Sequence, residues 1–596
     1  MAALAAILAL LSPGCGWEER PHLILLVIVD TLRADHLGCY GDRDIETPNI
    51  DRLAARGTVY DNAMSAVPVT LPSISTILTG AYPLQHGIRD NGVFALGESW
   101  ETLPERLATA GFRTAGFVSA DVLSHDHGIG QGFETYDDDM SARYETYQPL
   151  MKSIEDQLQG VERRAPLTVD KALEWAEEHK NEDAFLLVHL FDPHLPRDPP
   201  PEYRDRYPDR LYDGEIAAVD HEIGRLLSGL SQSWPESETL TILMADHGEG
   251  LLDHEEEFHG VLLFQETMHV PLIVAGPDVP AGQRIESVVR TADIPATVCG
   301  LVGIAPPPHS IGAPLPGLTL SDGTAGESRR GRFDNLAYLE TFRARLSHGW
   351  CEQRGLRTPR WKLISGATLQ LYDLRADPGE KTDLAASQPA VRDSLAALMD
   401  AVALQSLEHG REEAVGRTIS QEERDRLFSL GYVAPQAVSP PRADSLAIWY
   451  FSPEERGVAL GLSDPRERLE IYNQTVKARS FTLSGQNALA EGDLAEAERA
   501  FRGALHYDAA HVEAHLGLAE VFERNGEADR ALLVLRHAAE ENPADETIAL
   551  RLSDALTKRG RRVEALHVLN RALAEGASAV QLRARRDSLR SAAGTE

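Results

Sequence analysis

Residues His22–Gly38 read HLILLVIVDTLRADHLG, and the first half of that stretch decides the fold. Leu23 to Val29 is an unbroken apolar run rich in β-branched side chains, with no polar face. Such a run suits a strand covered on both sides, in the middle of a parallel sheet. It ends in Asp30 and Thr31, polar residues at a strand's carboxyl end, where open α/β sheets place their ligands. The pattern returns in FLLVHLFDPH (Phe185–His194) and LTILMADHGEG (Leu240–Gly250), and VPLIVAG (Val270–Gly276) reads as a further strand. Pro48–Arg56, Ala120–His127, Thr168–His179 and Asp213–Leu230 read as helices between them, and this alternation predicts a parallel α/β sheet. Tyr212–Asp213 and Glu215–Asp220 are expected on a solvated helix face.

After Pro306–Pro308 the texture changes. RTPRWKLI and LQLYDLRADPGEKTDL read as short antiparallel strands with a turn at Asp377–Gly379, a small C-terminal subdomain closing near Gly431–Val433. Gly492, Gly526 and Gly560 then recur 34 residues apart, as do Ala497/Ala531/Ala565, Phe501/Leu535/Leu569 and Ala504/Ala538/Ala572. That period, with small residues where helices cross, resembles tetratricopeptide repeats, an all-α solenoid whose groove suits a protein partner. The expected division is a leader over 1–20, a catalytic α/β domain over 21–435, a linker over 436–477 containing Pro440–Pro441, and repeats over 478–596.

The chain has 58 Lys+Arg against 92 Asp+Glu, a net charge of −34, which argues against binding to nucleic acid or an anionic membrane surface. An anionic substrate would need local positive charge, and a bound metal is the obvious source. Four cysteines build no disulfide framework. Cys15 follows the apolar run Met1–Leu11 in LLSPGC, the pattern of an export signal ending at a lipoprotein-type cysteine. The expectation is an exported protein, periplasmic or extracellular, touching a membrane only through a lipid anchor.

Asp and His at the ends of separate strands of one sheet suggest a divalent metal held by oxygen and imidazole. TLPSISTILTGAYPLQHGIRDNG (Thr70–Gly92) adds a hydroxyl ahead of a helix from about Ser73 to Leu78. A helix N-terminus favours an anion, and metal coordination would activate a threonine hydroxyl as nucleophile.

With VIVDTLRADHLGCYG, TPNIDRLAARG, TLPSISTILTG, LMADHGEGL, FHG, VPLIV, RWKLI and LYDLRADPGE in this order, His22 to about Val433 resembles the sulfatase branch of the alkaline phosphatase superfamily. The resemblance implies an alkaline-phosphatase-like α/β sheet with flanking helices and a metal-dependent ester hydrolase. It makes Asp30, Asp246 and His247 metal ligands, and Thr70 both ligand and nucleophile. His194 and His259 become the histidines that contact the anion or protonate the leaving group, with His86 and Asn91 near the anion. Asp192 is open to two readings, a ligand of a second metal or a cap at its strand end. Zinc, calcium or manganese would serve, with one ion expected and a second left open.

The departures from the family matter. Sulfatases carry a Cys or Ser that matures to formylglycine, with an Arg four residues on; here Thr70 and Ile74 stand there. Thr31 replaces a second acidic calcium ligand. Thr70 also resembles the metal-bound threonine of nucleotide pyrophosphatase/phosphodiesterases, so a phosphate mono- or diester is expected ahead of a sulfate ester. The alternatives are a phosphoryl transferase, or an inactive scaffold binding partners through its repeats.

Overall fold

The computed structural model describes residues 21–141, 161–409 apart from 181, 196 and 332, then 415–416, and 462–591 apart from 578. The leader over 1–20 with Cys15, the closing residues 431–433 and Pro440–Pro441 lie outside the described residues. Among the described residues there are two compact units, one running to Arg468 and the other starting at Leu469. No helix among them is long and apolar enough to cross a membrane.

The first unit is built on a nine-stranded sheet. Its strands are β1 (Leu23–Val29), β2 (Thr58–Met64), β3 (Arg113–Phe117), β4 (Thr135–Asp137), β5 (Ala184–Leu190), β6 (Thr239–Ala245), β7 (His269–Val270), β8 (Leu272–Ala275) and β9 (Gln283–Arg290). The order is β9-β2-β8-β6-β1-β5-β3-β4, with β7 beside β2. The apolar run of β1 is wholly buried and lies parallel between β5 and β6. In this register Val29 pairs with Leu190 and with Ala245, so the polar residues after all three strands emerge at one edge.

One expectation is corrected. The VPLIVAG strand, β8, runs antiparallel to both β6 and β2, so the sheet is mixed. Between β6 and β8 the chain forms the short helix Gln265–Met268 and the two-residue β7, and no crossover helix. A parallel return needs a crossover of a dozen or more residues, usually helical; this chain turns back along the edge it came from.

Helices α1 (Pro48–Ala55), α2 (Thr70–Thr79), α3 (Ala165–Glu178) and α4 (Leu211–Leu230) belong to this unit. Ala120–His127, expected as a helix, is two short 3-10 turns. The expected solvated face of α4 is also corrected: Tyr212, Asp213, Glu215 and Asp220 are buried. Asp220 accepts the backbone N–H groups of Asn49 (3.1 Å) and Ile50 (2.8 Å), so a carboxylate from α4 meets the positive end of α1.

A four-stranded antiparallel sheet follows: β10 (Ala337–Thr341), β11 (Gln353–Arg357), β12 (Trp361–Ser365) and β13 (Leu369–Asp373). Lys362 of β12 is fully buried against Glu380 at 3.0 Å, and Glu380 also accepts the N–H of Gln265 at 2.7 Å. This buried pair ties the small sheet to the segment that leaves β6.

The second unit is helical: α5 (Leu469–Glu491), α6 (Leu494–Tyr507), α7 (Val512–Arg524), α8 (Ala528–Glu541), α9 (Glu546–Lys558), α10 (Arg562–Ala574) and α11 (Ala579–Ser591). Residues 469–477, expected as linker, are the start of α5. The 34-residue pattern has a direct physical meaning. Gly492, Gly526 and Gly560 take positive φ of 84°, 76° and 72° where helices end, and the recurring Ala, Phe and Leu positions are buried. The ring of Phe501 fills space a side chain at Gly485 or Gly517 would need.

Lys362→Met leaves Glu380 buried without its cation, so it is expected to destabilise the first unit by about 3–5 kcal/mol. Adding Glu380→Leu should recover most of that loss; chemical denaturation of the two variants checks it.

Candidate active site

The site is assembled at the carboxyl edge of β1, β5 and β6. Asp30 follows β1 and Asp246 follows β6, and paired Val29 and Ala245 make them neighbours. Thr31, at a positive φ of 56°, turns the chain so that its N–H reaches Asp246 Oδ1 at 3.3 Å. Tyr212 from α4 holds this strained turn, donating its hydroxyl to the Thr31 carbonyl (2.6 Å) and accepting the Arg33 N–H (3.0 Å).

Thr70 opens α2, which starts earlier than the expected Ser73 and is buried along its whole length. The helix tolerates that burial because its hydroxyls return to its own carbonyls, as Ser75 does to Leu71 and Thr76 to Pro72. Ser73 instead donates to the backbone carbonyl of Asp246 at 2.7 Å, fastening the helix to the loop after β6.

Thr70 Oγ1 lies 3.3 Å from His247 Nε2. His247 Nδ1 sits 3.0 Å from the Gly248 carbonyl, so its proton belongs on Nδ1 and its Nε2 lone pair faces inward, 3.4 Å from Asp246 and 3.8 Å from Asp30. His259 packs against His247 with ring centroids 4.5 Å apart, and His194 against His259 at 5.3 Å. Asp30, Thr70, Asp246, His247, His194 and His259 therefore form one buried cluster.

Asn91 stands beside it. Its Oδ1 accepts the Leu71 N–H at 2.9 Å, while its buried Nδ2 has no hydrogen-bond partner. His86 is placed elsewhere, with Nε2 3.2 Å from Thr76 Oγ1 and Nδ1 accepting the Ile88 N–H. Thr76 is six residues along α2 from Thr70, about 9 Å at the helical rise. Asp192 has its carboxylate engaged by the Ala165 N–H (2.8 Å) at the start of α3 and by Arg164 (3.2 Å), the geometry of a cap.

Two residues not singled out in the sequence belong to the cluster. Glu249 accepts from His259 Nδ1 at 3.1 Å and pairs with Arg197 at 3.2 Å. Burial pushes its carboxyl up, but His259, Arg197 and His194 outweigh burial and hold it down to about 2. The other is His189, in the middle of β5, whose ligating atom lies with those of Asp30 and Asp246 within 4.8 Å of one another. Only its position inside FLLVHLFDPH, a polar residue in an otherwise buried strand, marks it in the sequence.

These residues suit a divalent cation. Burial raises Asp30 well above its ordinary 3.8, with Asp246, Glu162 and Glu249 adding to it, and burial raises Asp246 as well. Asp30 Oδ1 and Asp246 Oδ2 are buried with no hydrogen-bond partner, as acceptors awaiting a cation would be.

Residues 22–304 match the Sulfatase family, and residues 255–405 match the N-sulphoglucosamine sulphohydrolase C-terminal family. The chain carries a sulfatase-family hydrolase domain. Residues 488–537 and 524–585 match the tetratricopeptide repeat. The uncharacterized sulfatase YidJ of Escherichia coli (strain K12) is 27% identical over 432 residues, 61% of this chain and 83% of its own. Arylsulfatase K of Homo sapiens is 26% identical over 470 residues, 66% of this chain and 85% of its own. Among solved structures, the phosphonate monoester hydrolase of Agrobacterium radiobacter aligns with a TM-score of 0.55 at 22% identity, covering 67% of this chain and 100% of that one. At that identity the likeness speaks for the fold. The Sulfatase match spans the large sheet, and the second match spans the small antiparallel sheet.

Ionising Asp30 beside Asp246 costs the metal-free protein folding free energy. That cost is absent below pH 3.8 and grows as pH rises through the raised folded value. At pH 7 a divalent ion at about one hundred times its Kd should add roughly 2.7 kcal/mol of stability. Asp30→Asn should abolish that gain and, stripped of metal, outlast the stripped parent in thermal unfolding.

Proposed function

We propose that the sulfatase-family domain is a metal-dependent hydrolase that uses Thr70 itself as nucleophile, without formylglycine, on a phosphate mono- or diester. The observation that carries this reading is Thr70 Oγ1 at the N-terminus of α2, 3.3 Å from His247 Nε2 and beside two buried carboxylates. Asp30, Asp246, His247 and Thr70 would hold the ion, which supplies positive charge for the anion and lowers the pKa of the threonine hydroxyl.

Thr70 Oγ1 attacks phosphorus in line, forming a Thr70 phosphoester as the bond to the alcohol oxygen breaks. The Asn91 amide, anchored through Oδ1 and free at Nδ2, donates to a non-bridging oxygen of the transferring group. His259, kept in orientation by Glu249, or His194 behind it, takes up the proton that Thr70 loses as it attacks and passes it to the departing alkoxide. In the return step the same histidine accepts a proton from the water that attacks the phosphoester and returns it to Thr70 Oγ1 as phosphate leaves.

Phosphate is preferred over sulfate on chemical grounds. The route that releases sulfate from a formylglycine hemiacetal needs an aldehyde hydrate, which threonine cannot form. A threonine phosphoester needs only in-line attack by water. The solved neighbour named for phosphonate monoester hydrolysis is consistent with phosphorus chemistry on this fold. The tetratricopeptide repeats offer a concave surface for a protein partner. Export with a lipid anchor at Cys15 is part of the same proposal.

The full chain should be assayed on nitrophenyl phosphate, a bis(nitrophenyl) phosphate diester and nitrophenyl sulfate, each with added zinc, manganese or calcium. Phosphoester turnover that Thr70→Ala lowers by about a thousandfold or more is expected. Near-parental turnover in Thr70→Ala would overturn the mechanism, and Thr70-dependent sulfate turnover would overturn the preference for phosphate.

A further inference from the structure

We infer that His189 is a direct ligand of the divalent ion, and that its imidazole makes this centre select a borderline transition metal such as zinc over calcium. The inference rests on the metal-dependent reading above and specifies which metal that site is built for.

The sheet register puts His189 in place. Ile28 pairs with His189 on one side and with Met244 on the other. Asp30 is two residues beyond Ile28, and Asp246 two beyond Met244. Side chains two apart along a strand share a face, and paired residues of neighbouring strands point the same way. His189 therefore stands on the face that carries both carboxylates, one step deeper in the sheet. Its Nε2 is 3.7 Å from Asp30 Oδ2, too long for a hydrogen bond and short enough for both atoms to bind one ion.

The ordinary explanation of a core histidine does not hold here. A buried imidazole is normally kept by hydrogen bonds at its nitrogens, yet both ring nitrogens of His189 are buried and lack a hydrogen-bond partner. The side chain is fully enclosed in LLVHL, where leucine or valine would avoid that desolvation cost. His247 shows the contrast, since Gly248 fixes its tautomer. The three donors from Asp30, His189 and Asp246 lie within 4.8 Å of one another, so one ion between them can be reached from all three.

Adding His189 changes the chemistry of the donor set. Asp30, Asp246 and Thr70 offer oxygen, while His189 and His247 offer two imidazole nitrogens. Calcium takes six to eight oxygens in a flexible shell, whereas imidazole favours zinc and its neighbours. Thr31, whose buried hydroxyl is without a hydrogen-bond partner, adds no negative charge that would favour calcium.

The test is metal binding by the full chain, stripped with chelator and reloaded. Zinc is titrated against a chromophoric competitor, calcium by calorimetry, and the zinc-loaded protein is measured by X-ray absorption. The expected result is zinc at least about a thousandfold tighter than calcium, with two imidazoles in the zinc shell. His189→Asn should weaken zinc by about a hundredfold, leave calcium unchanged, and reduce the count to one imidazole. His189→Leu, which restores an apolar strand, should show the same loss and guards against a folding defect in the asparagine variant. Zinc bound with a single imidazole in the parent, or with parental affinity in either variant, would overturn the role of His189 and leave the metal-dependent reading standing. Parental zinc binding in Asp246→Asn, or no divalent ion bound at all, would overturn that reading itself.

Discussion

Two buried carboxylates brought side by side by strand register are the constraint on which the rest of this structure depends. Asp30 and Asp246 leave adjacent parallel strands at the same level, and each keeps an oxygen without a hydrogen-bond partner. At their separation the repulsion between two ionised groups is roughly 3 kcal/mol even at an effective dielectric of about 20. The surroundings are organised to hold that arrangement. Tyr212 clamps the strained Thr31 turn, Ser73 ties α2 to the Asp246 carbonyl, and Gly248 fixes the His247 tautomer.

Around this centre the neighbours of each buried group set its charge. Glu249 stays ionised, held down to about 2 by His259, Arg197 and His194 against the opposing effect of burial. Burial and then His247 push His259 down to about 4, so at neutral pH it is neutral and donates through Nδ1 to Glu249. A neutral histidine is a proton acceptor first and a donor after it has been charged, the order that the proposed two-step hydrolysis requires.

Much of this was legible in the chain. Apolar strands ending in Asp30 and in Asp246–His247, a hydroxyl before a buried helix, and the 34-residue spacing of Gly492, Gly526 and Gly560 are local patterns, and the structure places each as an element or an edge. Other features have no local signature. The antiparallel course of Leu272–Ala275 follows from a connection that lacks a crossover helix. Tyr212, Glu215 and Asp220 look like a polar helix face, yet they are buried because each meets a partner from another element. His86 lies close to Thr70 in sequence but is carried away along α2, whereas Glu249 reaches His259 only because the loop after β6 folds back on itself.

The sequence by itself determined which segments are buried, their periodicity, and which residues hold the oxygen and nitrogen donors. Burial and periodicity are written in neighbouring residues, so a single strand or helix reveals them. The tertiary structure decided which donors converge. The bond from Thr31 to Asp246 spans 215 residues, and the approach of Thr70 to His247 spans 177. His189 joins Asp30 only through the pairing of β5 with β1. A shift of that register by one residue would turn the histidine to the other face of the sheet.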